Sequence, residues 1–238
     1  RVADSASNTS DNLSVSSFTI DSTAPTLTEV TPVPTYTNDN TSLSYTFSSS
    51  EAGTIAYGGS CSSSTTEATV DNNTIIFNAL AEGNYTNCKI SVTDNLSNTS
   101  DNLSVSSFTI DMTAPTLDNV TIASSNSVST LAKTSDRITL SITSVGAIQA
   151  PSVSIAGQTA TVGSSSDNIT WSAYYDMQSS VSEGTVSLNI GFSDLAGNPG
   201  DNVTSTTGNA TSVLFDKTPP TLDNVTIASS NSVSTLAK

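Results

Sequence analysis

Hydrophobic and polar residues alternate in short runs along the whole chain. Leu43, Tyr45 and Phe47 alternate with polar residues, and later runs repeat the pattern. A period of two places one face of a strand in a core and the other face in water. The runs recur roughly every 8–12 residues between Gly, Pro, Asn and Ser, which predicts an all-β sandwich.

This pattern predicts seven strands in the first half of the chain. They are Thr26–Thr31, Ser42–Phe47, Thr54–Tyr57, Thr66–Val70, Thr74–Asn78, Thr86–Thr93 and Leu103–Ile110. The sixth strand contains the alternating residues Cys88, Ile90 and Val92, which we expect to face the core.

The second half shows the same alternation and predicts a second sandwich. The alternating residues are Ile138, Leu140 and Ile142, then Ile169, Trp171, Ala173 and Tyr175, then Val186, Leu188, Ile190 and Phe192. We expect Trp171 and Tyr175 to be core residues rather than a platform for a sugar, because they share one face of a strand. Tyr57, beside Gly58 and Gly59, is the better candidate for an exposed aromatic residue.

Two long phrases each occur twice, letter for letter, at different offsets. SNTSDNLSVSSFTID occupies Ser7–Asp21 and Ser97–Asp111, which are offset by 90 residues. LDNVTIASSNSVSTLAK occupies Leu117–Lys133 and Leu222–Lys238, which are offset by 105 residues. Two offsets indicate two kinds of module, each the size of a small domain. We therefore expect the chain to be a window from a longer array.

Proline-containing links mark the expected module boundaries, because proline cannot donate a hydrogen bond within a sheet. Each link follows a strand and an aspartate, as in Asp21–Thr26. The predicted organisation is the last part of a first-kind sandwich at 1–23, a complete first-kind sandwich at 24–113, a complete second-kind sandwich at 114–218 and the first part of a further sandwich at 219–238.

Charge narrows the range of partners. The 238 residues include 6 Lys and Arg against 21 Asp and Glu, a formal net charge of −15. Nucleic acid is a poor partner because its phosphates require a basic surface, and an anionic membrane surface is disfavoured for the same reason. The apolar runs are too dispersed for membrane insertion, which needs about 20 consecutive apolar residues.

The sequence lacks the groups that catalysis usually requires. It contains no His, which is the commonest general base. It also contains no G-x-S-x-G motif, glycine-rich phosphate loop or C-x-x-C pair. Ser and Thr are so abundant that none stands out as a nucleophile. We therefore predict that the protein is not an enzyme.

Motifs near the module ends resemble those of a known family. Asp194-Leu-Ala-Gly-Asn198, followed by Phe215-Asp216-Lys-Thr-Pro-Pro, is similar to the D-x-x-G-N…D-x-T-x-P signature of bacterial immunoglobulin-like domains. The segments SEAGT at 50–54 and AEGNY at 81–85 fit the same family. The resemblance implies tandem immunoglobulin-like seven-stranded β-sandwiches in large bacterial surface adhesins, often with calcium at the domain boundaries.

Acidic residues near the boundaries are candidate calcium ligands, because this cation prefers carboxylate, amide and carbonyl oxygens. The expected topology brings the aspartate that ends one module to the loop between strands six and seven of the next. The predicted ligands are Asp21, Glu51, Asp94 and Asn98 at the first joint, Asp111, Asp194 and Asn198 at the second joint, and Asp216 at the end of the second module. The alternative is that these residues only cap turns.

Two copies of the turn motif depart from the family's pattern. Asp4–Asn8 and Asp94–Asn98 carry Ser where the pattern has Gly. We expect this change to alter the turn and, with it, the cation site.

The two cysteines, Cys61 and Cys88, are predicted to form a disulfide, which favours an oxidising compartment. Their places after the third strand and within the sixth differ from the bridge between strands two and six of antibody domains.

The leading hypothesis is a structural repeat segment of a long extracellular bacterial surface protein, either an adhesin stalk or a filament or sheath fibre at the cell surface. Near-verbatim repeats favour this role, because a spacer needs length and stiffness rather than distinct binding faces. Its partners would be neighbouring immunoglobulin-like repeats of the same chain and, in a fibre, copies of itself. The alternative is an immunoglobulin-like module that binds a glycan or a host protein, which predicts an exposed aromatic patch with polar partners.

Overall fold

The computed structural model describes residues 1–207 and 212–227. It divides into two compact units, Arg1–Met112 (unit 1) and Thr113–Lys238 (unit 2). Within the described residues the regular structure is entirely β-strand, and no helix is long and apolar enough to cross a membrane. The assignment of 1–23 and 219–238 to incomplete modules stays a prediction, and part of the second segment lies outside the described residues.

Short strands build unit 1, and most coincide with the predicted alternating runs. They are β1 (Leu27–Thr31), β2 (Tyr36–Thr37), β3 (Ser44–Ser49), β4 (Gly53–Gly58), β5 (Glu67–Ala68), β6 (Asp71–Ile76), β7 (Gly83–Tyr85), β8 (Lys89–Thr93), β9 (Leu103–Ser104) and β10 (Phe108–Ile110).

Unit 1 is a two-layer sandwich with the strand order of immunoglobulin domains. One layer is the sheet β1-β3-β6, and the other contains the sheets β5-β4-β8-β9 and β2-β10-β7. The predicted sixth strand is thus β7 followed by β8, and the seventh is β9 followed by β10. Strands one, two and five therefore oppose strands three, six and seven, as in the immunoglobulin fold. The pair β2 and β10 is parallel, whereas β10 and β7 are antiparallel.

The core of unit 1 lies between these layers, because both contribute alternate side chains to it. Tyr45 and Phe47 of β3 share a buried cluster with Ile90 and Val92 of β8. The prediction that these alternating residues face the core is therefore confirmed. The prediction of an exposed Tyr57 is wrong, because the side chain packs against this cluster and its hydroxyl donates a hydrogen bond to the Thr65 carbonyl oxygen at 2.6 Å.

Unit 2 contains a further set of strands with the same succession. They are β11 (Leu117–Ser124), β12 (Leu131–Ala132), β13 (Arg137–Ser144), β14 (Ser152–Ile155), β15 (Gln158–Thr159), β16 (Thr161–Val162), β17 (Thr170–Asp176), β18 (Gly184–Thr185), β19 (Leu188–Gly191) and β20 (Leu214–Phe215).

The sheets of unit 2 repeat the plan of unit 1. One layer is β11-β13-β17-β16, and the other contains β15-β14-β19 and β12-β20-β18. Again the last strand, β20, pairs in parallel with β12 of the first strand and antiparallel with β18 of the sixth. The alternating residues Ile138, Leu140 and Ile142 are fully buried. Trp171 is 7% exposed and belongs to the core, which confirms its predicted structural role.

Candidate functional site

The turn Asp94–Asn98 joins the sixth and seventh strands of unit 1 and is built around the Asp94 carboxylate. The backbone N–H groups of Leu96 and Asn98 both donate to Asp94 Oδ1 at 2.8 Å. The Asn98 side-chain amide donates to Asp94 Oδ2, also at 2.8 Å. The bond from the Asn98 side chain is the largest cause that holds the pKa of Asp94 below its usual value. The carboxylate therefore stays ionised to a lower pH than usual.

Unit 2 contains the same turn at Asp194–Asn198. The Asn198 backbone N–H donates to Asp194 Oδ1 at 2.9 Å, and its side-chain amide donates to Asp194 Oδ2 at 2.8 Å. Here the turn is buried, with 6% of Asp194 and 8% of Asn198 exposed, and Gln149 Nε2 donates to the Asp194 carbonyl oxygen. The Asp194 carboxylate consequently has less access to solvent ions than that of Asp94.

The expectation that Ser in place of Gly alters this turn is wrong. Ser7, Ser97 and Gly197 occupy the same position, and all three have positive φ angles, of 68°, 71° and 95°. The side-chain bonds between Asp and Asn recur in Asp4–Asn8, where Asn8 Nδ2 donates to Asp4 Oδ2 at 3.0 Å. The paired Asp and Asn side chains therefore impose the left-handed conformation on a residue other than glycine.

Asp21 lies against the turn of unit 1. Asn98 Nδ2 donates a second hydrogen bond, of 3.2 Å, to the Asp21 carbonyl oxygen. One carboxylate oxygen from each of Asp21, Glu51 and Asp94 lies within 4.8 Å of the other two. The structure thus brings together the residues predicted for the first joint, and we name Asp21, Glu51, Asp94 and Asn98 the acidic cluster.

Backbone bonds of the neighbouring loops position the acidic cluster. Thr23 N–H donates to Asp21 Oδ1 at 3.0 Å, which fixes the chain just before β1. Ser49 Oγ donates to the Glu51 carbonyl oxygen at 2.6 Å, which closes the turn between β3 and β4. The three acidic side chains also line an open cleft of about 300 Å³.

No basic side chain neutralises the acidic cluster within the described residues, because no Lys or Arg there forms a salt bridge with Asp21, Glu51 or Asp94. Two like charges at 4 Å repel by about 1 kcal/mol in water. This repulsion is small enough for the sandwich to fold with all three residues ionised, yet a divalent cation would relieve it.

The second predicted set of ligands falls on both units. Asp111 ends the last strand of unit 1, whereas Asp194 and Asn198 belong to unit 2. Asp216 follows β20, is exposed, and accepts the Thr218 N–H at 2.9 Å on Oδ1. Cation binding by these four residues stays a prediction.

The predicted disulfide between Cys61 and Cys88 is confirmed, and its Cα atoms are 5.2 Å apart. Cys61 follows β4 and Cys88 precedes β8, and these strands are antiparallel neighbours that end with the pair Gly58 and Lys89. The bridge therefore links two strands of the same sheet, just past the end of their ladder.

Glu29 is an interaction site that sequence reasoning missed. Its Oε2 atom accepts the Ser106 backbone N–H at 2.9 Å, and its Oε1 atom accepts the Ser106 hydroxyl at 2.5 Å. Burial would raise the pKa of Glu29, but these hydrogen bonds outweigh it and hold the pKa below its usual value. Glu29 thereby ties the first strand to the break between β9 and β10. A charged residue within an alternating strand was the available signal.

Comparisons with known proteins give structural likeness only. No protein-family model and no curated protein matches the chain. The solved D00-D0 domain of Intimin overlays with a TM-score of 0.30 at 15% identity, covering 81% of this chain and 100% of that one. The D1-D2 segment of Rst overlays with a TM-score of 0.34 at 8% identity, covering 81% of this chain and 99% of that one. The immunoglobulin-like assignment therefore rests on the strand order of each unit.

Proposed function

We propose that this chain is a structural repeat segment of a long extracellular bacterial surface protein, an adhesin stalk or a surface filament or sheath fibre. The observation that carries this proposal is the verbatim recurrence of Ser7–Asp21 as Ser97–Asp111, the last strand of a complete sandwich. Selection for a binding face would favour divergence between copies, whereas a spacer requires only that each copy fold. The neighbouring repeats of the same chain are its partners in this role.

Two further features support an extracellular, non-enzymatic role. The buried disulfide of unit 1 is typical of proteins in oxidising compartments. The aromatic side chains that could form a sugar platform, Trp171 and Tyr175, instead belong to or pack against the core of unit 2. The repeats thus invest their aromatic residues in folding.

The test is a series of polypeptides that contain one, two and four copies of the pair of complete modules. Small-angle scattering should give a maximum dimension that increases by a constant increment for each added pair, and electron micrographs should show elongated particles. Compact particles of constant dimension would contradict the spacer proposal. Saturable binding of one glycan or host protein by a single pair would instead support the recognition alternative.

We also propose that calcium binds the acidic cluster. Asp21, Glu51 and Asp94 supply carboxylate oxygens close enough to share one ion, and Asn98 retains its amide oxygen because its contacts use the Nδ2 hydrogens. Such an ion would tie the segment before β1 to the turn after the sixth strand. The same chemistry is proposed for Asp111, Asp194 and Asn198, and for Asp216 with a following module.

Calorimetric titration with calcium on the full chain tests the acidic cluster. Asp94→Asn should weaken calcium binding at least tenfold. Asp39→Asn is the matched control, because Asp39 also accepts two backbone N–H groups in a turn of unit 1 but lies outside the cluster. Equal calcium affinity in both variants would show that the carboxylates only cap turns. Circular dichroism should show that both variants keep the β-sheet spectrum.

A further inference from the structure

The segment Ser7–Asp21 exposes hydrophobic side chains that a folded protein normally buries. Leu13, Val15, Phe18 and Ile20 are 88%, 79%, 77% and 83% exposed. Residues 10–26 of this region contain no strand or bridge. An alternating apolar segment of this kind is a strand without a sheet.

The identical segment Ser97–Asp111 shows where such a strand belongs. Its residues Val105, Phe108 and Ile110 are 6%, 1% and 0% exposed. The Phe108 ring lies 5.1 Å from that of Tyr85, measured between centroids. The whole free energy of these contacts is available to any strand with the same sequence and register.

The site that accepts this strand is a groove in unit 1. We define the last-strand groove as the space between β2 and β7, continued along β8, which β9 and β10 occupy. Its backbone pairs include Thr109 with Asn84 and Thr109 with Tyr36. Glu29 holds Ser106 at its midpoint. Ser16 is the residue of the other copy that matches Ser106, so the groove cannot distinguish the two segments by chemistry.

We propose that Ser7–Asp21 is a donor strand that enters the last-strand groove of unit 1 in a second copy of this chain. In that position Phe18 and Ile20 would replace Phe108 and Ile110, and Ser16 would meet Glu29. The partner is therefore another molecule of the same sequence, bound through backbone pairing and a shared hydrophobic core. This interaction does not depend on the proposed role as a surface spacer, because an isolated chain possesses both strand and groove.

Geometry excludes donation of the strand to the groove of its own chain. In the groove, Asp21 would have to take the place of Asp111, which lies 13 residues beyond Asn98 along a mostly extended path of more than about 30 Å. β1 begins near the opposite pole, where the Asp21 carbonyl meets Asn98. The five-residue linker Ser22–Thr26 spans at most about 20 Å. Donation must therefore occur between molecules or between modules.

Concentration decides which strand occupies the groove. Ser97–Asp111 is tethered to β8 by a short turn, which gives it an effective concentration on the order of 1 mM or more. The tethered strand therefore prevails in dilute solution. The donor prevails where the tethered strand is damaged, and it competes where chains are packed at comparable concentration.

A full-length variant with a disabled tethered strand tests the proposal. In Phe108→Asp/Ile110→Asp, two buried positions of the groove cannot accept the chain's own strand, while Ser7–Asp21 remains intact. Sedimentation should show association that increases with concentration in the micromolar range, whereas the unmodified chain stays monomeric. Adding Phe18→Asp and Ile20→Asp to that variant should restore monomers. A monomeric first variant, or association that persists in the second, would overturn the proposal.

Cysteine crosslinking checks the register even if the damaged unit is poorly folded. Thr109 pairs with Asn84 in the groove, so Thr19→Cys with Asn84→Cys in the disabled variant should give covalent dimers and higher species on a non-reducing gel. Thr9→Cys with Asn84→Cys is the control, because Thr9 matches Thr99, which pairs with β8 rather than β7. Equal crosslinking by Cys at both positions, or none at either, would refute strand donation in this register.

Discussion

Ser97 in unit 1 and Gly197 in unit 2 occupy the same position of the same turn, with φ angles of 71° and 95°. Glycine adopts this left-handed conformation without a steric penalty, whereas serine pays about 1–2 kcal/mol. The turn nevertheless keeps its shape in unit 1, because the Asp94 carboxylate accepts three hydrogen bonds within it. Ser97 is consequently a site of stored backbone strain.

Replacement of this serine by glycine should stabilise unit 1. We expect Ser97→Gly to raise its free energy of unfolding by about 0.5–1 kcal/mol, since relief of strain exceeds the added entropy of the unfolded chain. Denaturant unfolding monitored by the aromatic signal of unit 1 measures the change. Ser107→Gly is the control, because Ser107 is exposed and has no positive φ, and it should be neutral or slightly destabilising. A loss of stability in Ser97→Gly would contradict this account.

Loss of the disulfide should affect unit 1 alone. Cys61→Ala/Cys88→Ala opens a loop closed over 27 residues, which the chain-entropy relation values at about 3.5 kcal/mol. Calorimetry should show one lowered transition and one unchanged transition, because both cysteines of the chain belong to unit 1. A double variant as stable as the native chain would show that the bridge adds nothing to the folded core.

Acid should weaken the contact between Glu29 and Ser106. Because the folded-state pKa of Glu29 lies below its ordinary value of 4.5, the ionised side chain stabilises unit 1 above that pH. The contribution is lost as the pH falls through the folded-state pKa. The difference in melting temperature between the native chain and Glu29→Gln should therefore be largest near neutral pH and shrink below pH 4.5.

The variant Ser106→Ala separates this effect from the other carboxylates. It removes the hydroxyl that donates to Glu29 Oε1 and should give a smaller difference over the same pH range. Ser107→Ala, one residue further along, should leave the pH profile unchanged. A constant difference between the native chain and Glu29→Gln at all pH values would disprove the role of ionised Glu29.

The two identical strands offer a matched pair for measuring burial. Phe108→Ala should destabilise unit 1 by about 3–5 kcal/mol, because it empties a site in the aromatic core. Phe18→Ala changes the same residue in the same sequence context, but 77% of Phe18 is exposed, and it should alter stability by no more than about 0.5 kcal/mol. Equal losses in thermal unfolding would show that Ser7–Asp21 is already seated in a sandwich.

Sequence alternation was sufficient for the layered fold, because each inward position in runs such as Tyr45 and Phe47 differs chemically from its outward neighbours. It failed for β2, whose two residues are too few to alternate. It also failed for Tyr57, where adjacent glycines indicated a loop but pairing of β4 with β8 placed the ring against the core.

The acidic cluster could be anticipated because topology alone brings Asp21 to the loops that contain Glu51 and Asp94. The contact between Glu29 and Ser106 could not, since these residues are 77 positions apart and meet only where the last strand breaks. The effect of Ser97 was misjudged because the family pattern gives the residue at that position and omits the side-chain bonds that enforce its conformation.

The parallel pairing of β2 with β10, and of β12 with β20, determines how each unit responds to tension. A pull on the two chain ends draws these neighbours in opposite directions, so that it shears their backbone bonds simultaneously instead of unzipping them one at a time. In unit 1 the covalent bridge also withholds the stretch between Cys61 and Cys88 from extension after the strands part. Each sandwich is thus arranged to resist stretching along the direction in which the chain runs.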